Sequence, residues 1–137
     1  MYSIKTESYF DSAHFLQLHR GKCRNIHGHR WKVEVEIFSR NLNDEGMIVD
    51  FSKFKSELEE ITDYYDHSLI IEEQSLDAKI LDLLMVNGFR IIQLKFAPTA
   101  ENLAKHFFDL LIKKNYNVKR VIIYETPKNS ASYEVFL

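Results

Sequence analysis

Between positions 14 and 29 this chain gathers four of its six histidines and its one cysteine, three of the histidines in suggestive places: His14 closing Phe10-Asp11-Ser12-Ala13-His14, then Cys23-x-x-x-His27-Gly28-His29. Neutral imidazole is the commonest side-chain ligand for zinc. A His-x-His pair on extended backbone turns both rings to one face, because strand side chains repeat every second residue. Gly28 between them removes a side chain where backbone is expected to approach something closely. Three protein ligands leave one tetrahedral position open, the pattern of catalytic zinc, whereas structural zinc is usually closed by four. The alternative for the pattern is a set of ordinary polar residues at a strand edge.

Cys23 admits three readings. As a fourth ligand it would close the metal site and make it structural, although one Cys with three His is not among the usual structural sets. Beside a cationic centre, with Lys22 and Arg24 as neighbours, it would instead favour the reactive thiolate. Free cysteine is also often a small core residue, but the loop context Gly21-Lys22-Cys23-Arg24-Asn25 argues against that.

Further along, Tyr64-Tyr65-Asp66-His67 ends an apolar-striped segment. Neighbouring side chains on a regular element point apart, so Asp66 and His67 are not expected to form a relay by themselves. His67 is either a cation at a helix end or a proton-transfer group titrating near neutrality and aimed elsewhere. Glu101, in Pro98-Thr99-Ala100-Glu101-Asn102, would be stabilised in the first turn of a helix whatever the protein does. Glu125 ends an apolar strand, where a charge is harder to explain by solvation. A carboxylate there can take two parallel hydrogen bonds from an amidine-like ring edge. His19 and His106 have no partner in sequence and are expected at the surface.

The elements that must position these groups follow from periodicity. Tyr2, Ile4, Thr6, Ser8 and Phe10 share a face of a first strand, and Trp31, Val33, Val35 and Ile37 alternate with charges in a second. Asn41–Gly46 reads as a turn, with Met47-Ile48-Val49 extended after it. Asp50 caps a helix striped by Phe51, Phe54, Leu58 and Ile61. Leu76–Val86 reads as a shorter helix stopped by Asn87-Gly88. Arg90–Phe96 alternates as a strand, and Pro98-Thr99 opens a long helix striped by Leu103, Phe107, Leu110 and Leu111. Val118–Tyr124 and Ser132–Leu137 are expected to pair antiparallel across Thr126–Ser130. This order predicts an α+β fold with an antiparallel sheet and helices on one face. Its open edges suggest cover by another subunit, hence a homo-oligomer.

Size and composition bound the rest. The 137 residues, without repeat or linker, are read as a single domain over 1–137. A hydrophobic share of 45% and a net charge of −2 are those of a globular protein with no call on nucleic acid or an acidic membrane. The apolar run Ile80–Val86 contains Asp82 and is far too short for a span. One cysteine makes no internal disulfide, and Met1–Glu7 offers no secretory signal, so cytoplasm is the expectation.

Taken in order, Phe10–His14, Cys23-x-x-x-His27-Gly28-His29, Met47–Phe51, Asp66-His67, Pro98–Asn102 and Glu125-Thr126 resemble the 6-pyruvoyltetrahydropterin synthase / 6-carboxytetrahydropterin synthase family. The resemblance covers nearly the whole chain. It implies the tunnelling fold, in which subunits pool antiparallel strands into a barrel and trimers stack as a hexamer. It also implies zinc on His14, His27 and His29, proton handling by Cys23, Asp66 and His67, and sites lying between subunits. Glu125 would anchor a pterin ring, with Thr99 and Glu101 helping to line the pocket. The implied substrate is 7,8-dihydroneopterin triphosphate, its triphosphate eliminated without a redox cofactor.

Two outcomes branch within that family. The three residues Arg24-Asn25-Ile26 between Cys23 and His27 resemble the bacterial 6-carboxytetrahydropterin branch, which feeds queuosine and other deazapurines. The 6-pyruvoyl branch tends to a longer gap. Arg30 departs from the small polar residue usual after His-Gly-His, and the stretch 70–96 is longer than in compact members. From other classes, the residues alone also admit a non-catalytic zinc or pterin binder closed by Cys23, or a metal-hydroxide hydrolase on three histidines.

Overall fold

Alternation along two long strands builds the centre of the molecule. In the computed structural model, which describes residues 1–136, β1 (Tyr2–His14) and β2 (His27–Ser39) pair antiparallel in unbroken register from Tyr2↔Ser39 to His14↔His27. The inward set Trp31, Val33, Val35 and Ile37 is fully covered, and Phe10 stacks on Trp31 at 5.8 Å between ring centroids. The polar interruption on β1 has a partner: the Ser8 and Thr62 hydroxyls meet at 2.7 Å inside the core.

The helices cover that face. Asp50 caps α1 (Phe51–Tyr65) by accepting from Ser52 N–H, and Phe54, Leu58, Ile61 and Tyr65 are buried, while Phe51 turns out to solvent. Burying a side chain such as Phe54 contributes about 1.5–3 kcal/mol. The chain then adds β3 (Ser68–Glu72), α2 (Ala78–Val86), β4 (Ile91–Leu94), α3 (Ala100–Lys113), β5 (Val118–Thr126) and β6 (Asn129–Glu134). Thr99 caps α3, whose buried stripe runs through Leu103, Phe107 and Leu111, with Leu110 half-buried.

The sheet order is β4-β3-β1-β2-β5-β6. β1, β2, β5 and β6 form the expected antiparallel core. β3 and β4 depart from it, adding parallel to β1 and to each other, because α2 returns the chain to its starting end. β3 lies before the expected helix Leu76–Val86, in a segment to which periodicity assigned no element. Met47–Val49 forms no strand; Ile48 and Val49 bend and pack on the core. The last two strands reach further into their turn than expected, from Thr126 to Asn129, and β6 ends at Glu134. Leu137, expected in the last strand, lies outside the described residues.

α2 stands apart from this packing. None of its residues is buried, and Leu83, Val86 and the following Phe89 are each more than 60% exposed. No helix among the described residues is long and apolar enough to cross a membrane.

Candidate metal centre and active site

The register of β1 and β2 places His14 opposite His27 and Ser12 opposite His29, so the three rings crowd one end of the helix-covered face. Their centroids lie 4.6–5.2 Å apart, and the His14 and His29 rings both stand edge-on to Trp31. Each of two rings is aimed by a backbone carbonyl. His14 Nδ1–H donates to the Pro98 carbonyl at 2.8 Å, and His27 Nδ1–H donates to that of Asn25 at 2.6 Å. A carbonyl can only accept, so both protons sit on Nδ1 and both Nε2 atoms present bare lone pairs.

Those two Nε2 atoms are nevertheless 3.1 Å apart. With both rings neutral, two lone pairs at that separation repel unless a proton or a metal ion lies between them. The buried Nε2 of His29 has no aligned hydrogen-bond partner among the described residues. Desolvation lowers the pKa of both His14 and His29, which keeps them neutral and able to bind a cation. The donor set therefore fits a metal, with imidazoles oriented from their far side as metal-bound histidines usually are.

The fourth member of the cluster is Glu125. Its ligand atom and those of His14, His27 and His29 all lie within 4.8 Å of one another. Oε1 is 2.8 Å from His29 Nε2 and 3.4 Å from His14 Nε2. Cys23 is not in this group. It sits half-buried on a single 3-10 turn, Lys22–Arg24, and its carbonyl accepts from Leu16 N–H at 2.8 Å, tying the loop to the end of β1. The sequence offered Cys23 as a fourth donor; the structure brings in the Glu125 carboxylate instead. Spacing could not show this, since Glu125 lies nearly a hundred residues from His29.

Asp66 and His67 form a pair after all: His67 Nδ1 is 2.7 Å from Asp66 Oδ2. The argument that neighbours point apart fails because His67 is not on a regular element. The chain leaves α1 extended at Asp66 and enters the left-handed region at His67, φ 54°. The other Asp66 oxygen accepts from Asp11 N–H at 2.7 Å, which holds this carboxyl below the usual range, and His67 assists. The hydrogen bond to Asp66, with its charge and that of Asp11, raises His67 above 6.5. Arg90 braces the turn, donating to the carbonyls of Tyr64 and Asp66. Sequence reading missed Arg90, and no spacing signals it.

A cavity of about 630 Å³ has His29, Gly28 and Arg30 on one side and His67, Phe89 and Arg90 on the other; of the four clustered donors only His29 borders it. Its size is that of a small-molecule site. Gly28 is not required by crowding within the chain, since an added Cβ would meet the Ser12 carbonyl at an ordinary 3.8 Å. Thr99 Oγ1 is engaged in capping, accepting from Asn102 N–H, and Glu101 is exposed on the first turn of α3. Both belong to the segment whose Pro98 carbonyl aims His14. His106 is not a surface residue. The Tyr65 hydroxyl and its Nε2 are hydrogen-bonded at 2.6 Å, and burial lowers the histidine while pushing the phenol up to about 12. His19 is exposed as expected.

Fold and site together define an α+β protein with a histidine–carboxylate cluster, able to hold a metal ion, at one end of its sheet. Residues 3–135 match the family described as 6-pyruvoyl tetrahydropterin synthase, and the chain belongs to it. It is thus an enzyme of pterin metabolism. Among curated relatives, the 6-carboxy-5,6,7,8-tetrahydropterin synthase of Haemophilus influenzae is 34% identical over 98% of this chain and 99% of its own. That of Aquifex aeolicus is 33% identical over 82% and 76%. The 6-pyruvoyl tetrahydropterin synthase of Caenorhabditis elegans superposes with a TM-score of 0.70 at 25% identity, covering 98% of this chain and 96% of that one. A Wolinella succinogenes protein described as uncharacterized gives 0.78 at 23% identity, covering 97% of each.

Proposed function

We propose that the chain is a zinc-dependent 6-carboxy-5,6,7,8-tetrahydropterin synthase. It converts 7,8-dihydroneopterin triphosphate into 6-carboxytetrahydropterin, acetaldehyde and triphosphate, in the cytoplasm and on the route to queuosine and related deazapurines. The observation that carries the reading is the convergence of His14, His27, His29 and Glu125 beside a cavity that His67 also lines. The names of the relatives at 33–34% identity supply the substrate class.

His14, His27 and His29 hold the zinc, which supplies Lewis acidity toward the oxygens of the substrate side chain. Cys23, as thiolate, takes the carbon-bound proton. His67, kept protonated by Asp66, returns protons. Glu125 receives the amidine-like edge of the pterin ring, and Thr99 and Glu101 border the entrance.

The working form is a ring of copies, two trimers stacked as a hexamer. Support comes from the unpaired edges. β3 pairs with β1 only at Ser12–His14, leaving the first part of β1 open, and β6 pairs only with β5. β6 runs antiparallel to β1, so a second copy's β6 laid on that open edge continues the antiparallel order, and repetition closes a barrel.

The test is product analysis with purified full-length protein and dihydroneopterin triphosphate. Acetaldehyde trapped one-for-one with triphosphate is expected. Accumulation of 6-pyruvoyltetrahydropterin without acetaldehyde would overturn the carboxy assignment in favour of the pyruvoyl branch.

A further inference from the structure

We infer that Glu125 is a fourth metal donor in the resting centre and yields that position when a pterin ring arrives, so that ring recognition opens the metal to the substrate side chain. The inference rests on the metal reading above and adds an interlock to it.

The first support is distance. Zinc bonds of about 2.0–2.1 Å at tetrahedral angles separate neighbouring donors by about 3.3–3.4 Å. The donor separations here are 3.1 Å for His14 Nε2 to His27 Nε2, 3.4 Å for His14 Nε2 to Glu125 Oε1 and 2.8 Å for His29 Nε2 to Glu125 Oε1. The carboxylate oxygen is thus close to ligand spacing from the His14 and His29 donors and within 4.8 Å of the His27 donor.

Direction gives the second support. His29 Nε2 is buried and only 2.8 Å from Oε1, yet the two are not aligned as a hydrogen bond. Two groups that face a common centre have this relation; a simple His–Glu pair would point along the line joining them. The third support is backbone. β5 and β6 slip register between Tyr124 and Thr126, leaving Glu125 unpaired in a bulge. Bulges re-aim a side chain, and this one delivers Glu125 to the cluster.

The two ligands draw on the same carboxylate oxygens. Paired hydrogen bonds to an amidine edge use both oxygens in one plane, while metal ligation turns one of them toward the histidines. Ring binding and Glu125–metal binding therefore compete, and competition is reciprocal by linkage. A ring without a side chain should weaken the metal, because it removes a donor and offers none.

Zinc affinity of the purified full chain, measured by competition with a chromophoric chelator, tests this without turnover. Glu125→Gln and Glu125→Ala should bind zinc at least about tenfold more weakly, the lower end of what even a supporting group contributes. Saturating 7,8-dihydropterin should weaken zinc binding about fivefold or more in the wild type and leave it unchanged in Glu125→Gln. Equal zinc affinity in wild type and both variants overturns the inference, as does a wild-type affinity indifferent to bound dihydropterin. A wild-type chain that takes up no zinc, or one whose His27→Ala variant keeps it, sinks the metal reading itself. Matching far-UV circular dichroism of the near-isosteric Glu125→Gln excludes misfolding as the cause.

Discussion

The proposed metal cluster and the proposed proton-handling groups are carried by different kinds of backbone. His14, His27 and His29 stand in the β1–β2 ladder, and Glu125 in the bulge near the end of β5. Cys23 sits on a single 3-10 turn, and Asp66 with His67 on a turn that passes through the left-handed region. A ligand set must converge on a point within tenths of an ångström, and strands provide that rigidity. Proton donors and acceptors need a specific environment first. The Asp66–His67 turn obtains it by lying against the open edge of β1, where Asp11 N–H donates to Asp66.

The sharpest way to break this division is at the strands. His27→Ala should lose zinc and turnover together, checked by metal analysis and the acetaldehyde assay. Full zinc occupancy with His27 removed would show that the strand-borne cluster is not the metal centre. Next comes the cysteine turn. Cys23→Ala should keep its zinc while turnover falls about 10²–10⁴-fold, the span of a lost acid–base group. Zinc loss in that variant would move Cys23 into the ligand set and erase the distinction.

A smaller effect is expected at the dyad. The hydrogen bond to Asp66 lifts His67 above 6.5, so the folded state binds its proton more tightly than the unfolded chain does. That contribution to stability is complete below about 6.5 and fades as pH rises through the raised value. Asp66→Asn should return the His67 midpoint downward in an NMR titration and remove the pH dependence of stability in that window. An unmoved midpoint would mean that Asp66 does not set the histidine. The smallest effect tests the cap beneath His14. Thr99→Ala leaves Asn102 N–H without its partner and should cost about 1 kcal/mol, near 4 °C in melting temperature. Zinc should remain in place, because the Pro98 carbonyl that aims His14 is untouched.

What could be read in the sequence divides along the same line. The three histidines converge as their spacing predicts, since strand periodicity alone turns His27 and His29 to one face. The helix stripes at Phe54, Leu58 and Ile61, and at Leu103, Phe107 and Leu111, hold for the same reason. Glu125 was legible as an unusual charge but not as a member of the cluster, because its approach depends on a bulge and a long-range strand order. The Asp66–His67 contact was misread because a left-handed residue breaks the rule that neighbours diverge. β3 stayed hidden since its pairing is parallel and distant, and His106 because its partner Tyr65 lies on another helix.

The φ of 54° at His67 also bears on how this protein responds to pressure for robustness. A left-handed conformation costs an ordinary residue about 1–2 kcal/mol, a strain that Gly escapes and Asn tolerates. Heat-resistant descendants chosen only for folding would therefore drift toward Gly or Asn at this one position. They would gain ruggedness there and lose the imidazole with it. Stability and activity are opposed at that residue, so a library screened by melting temperature alone should accumulate inactive survivors at position 67.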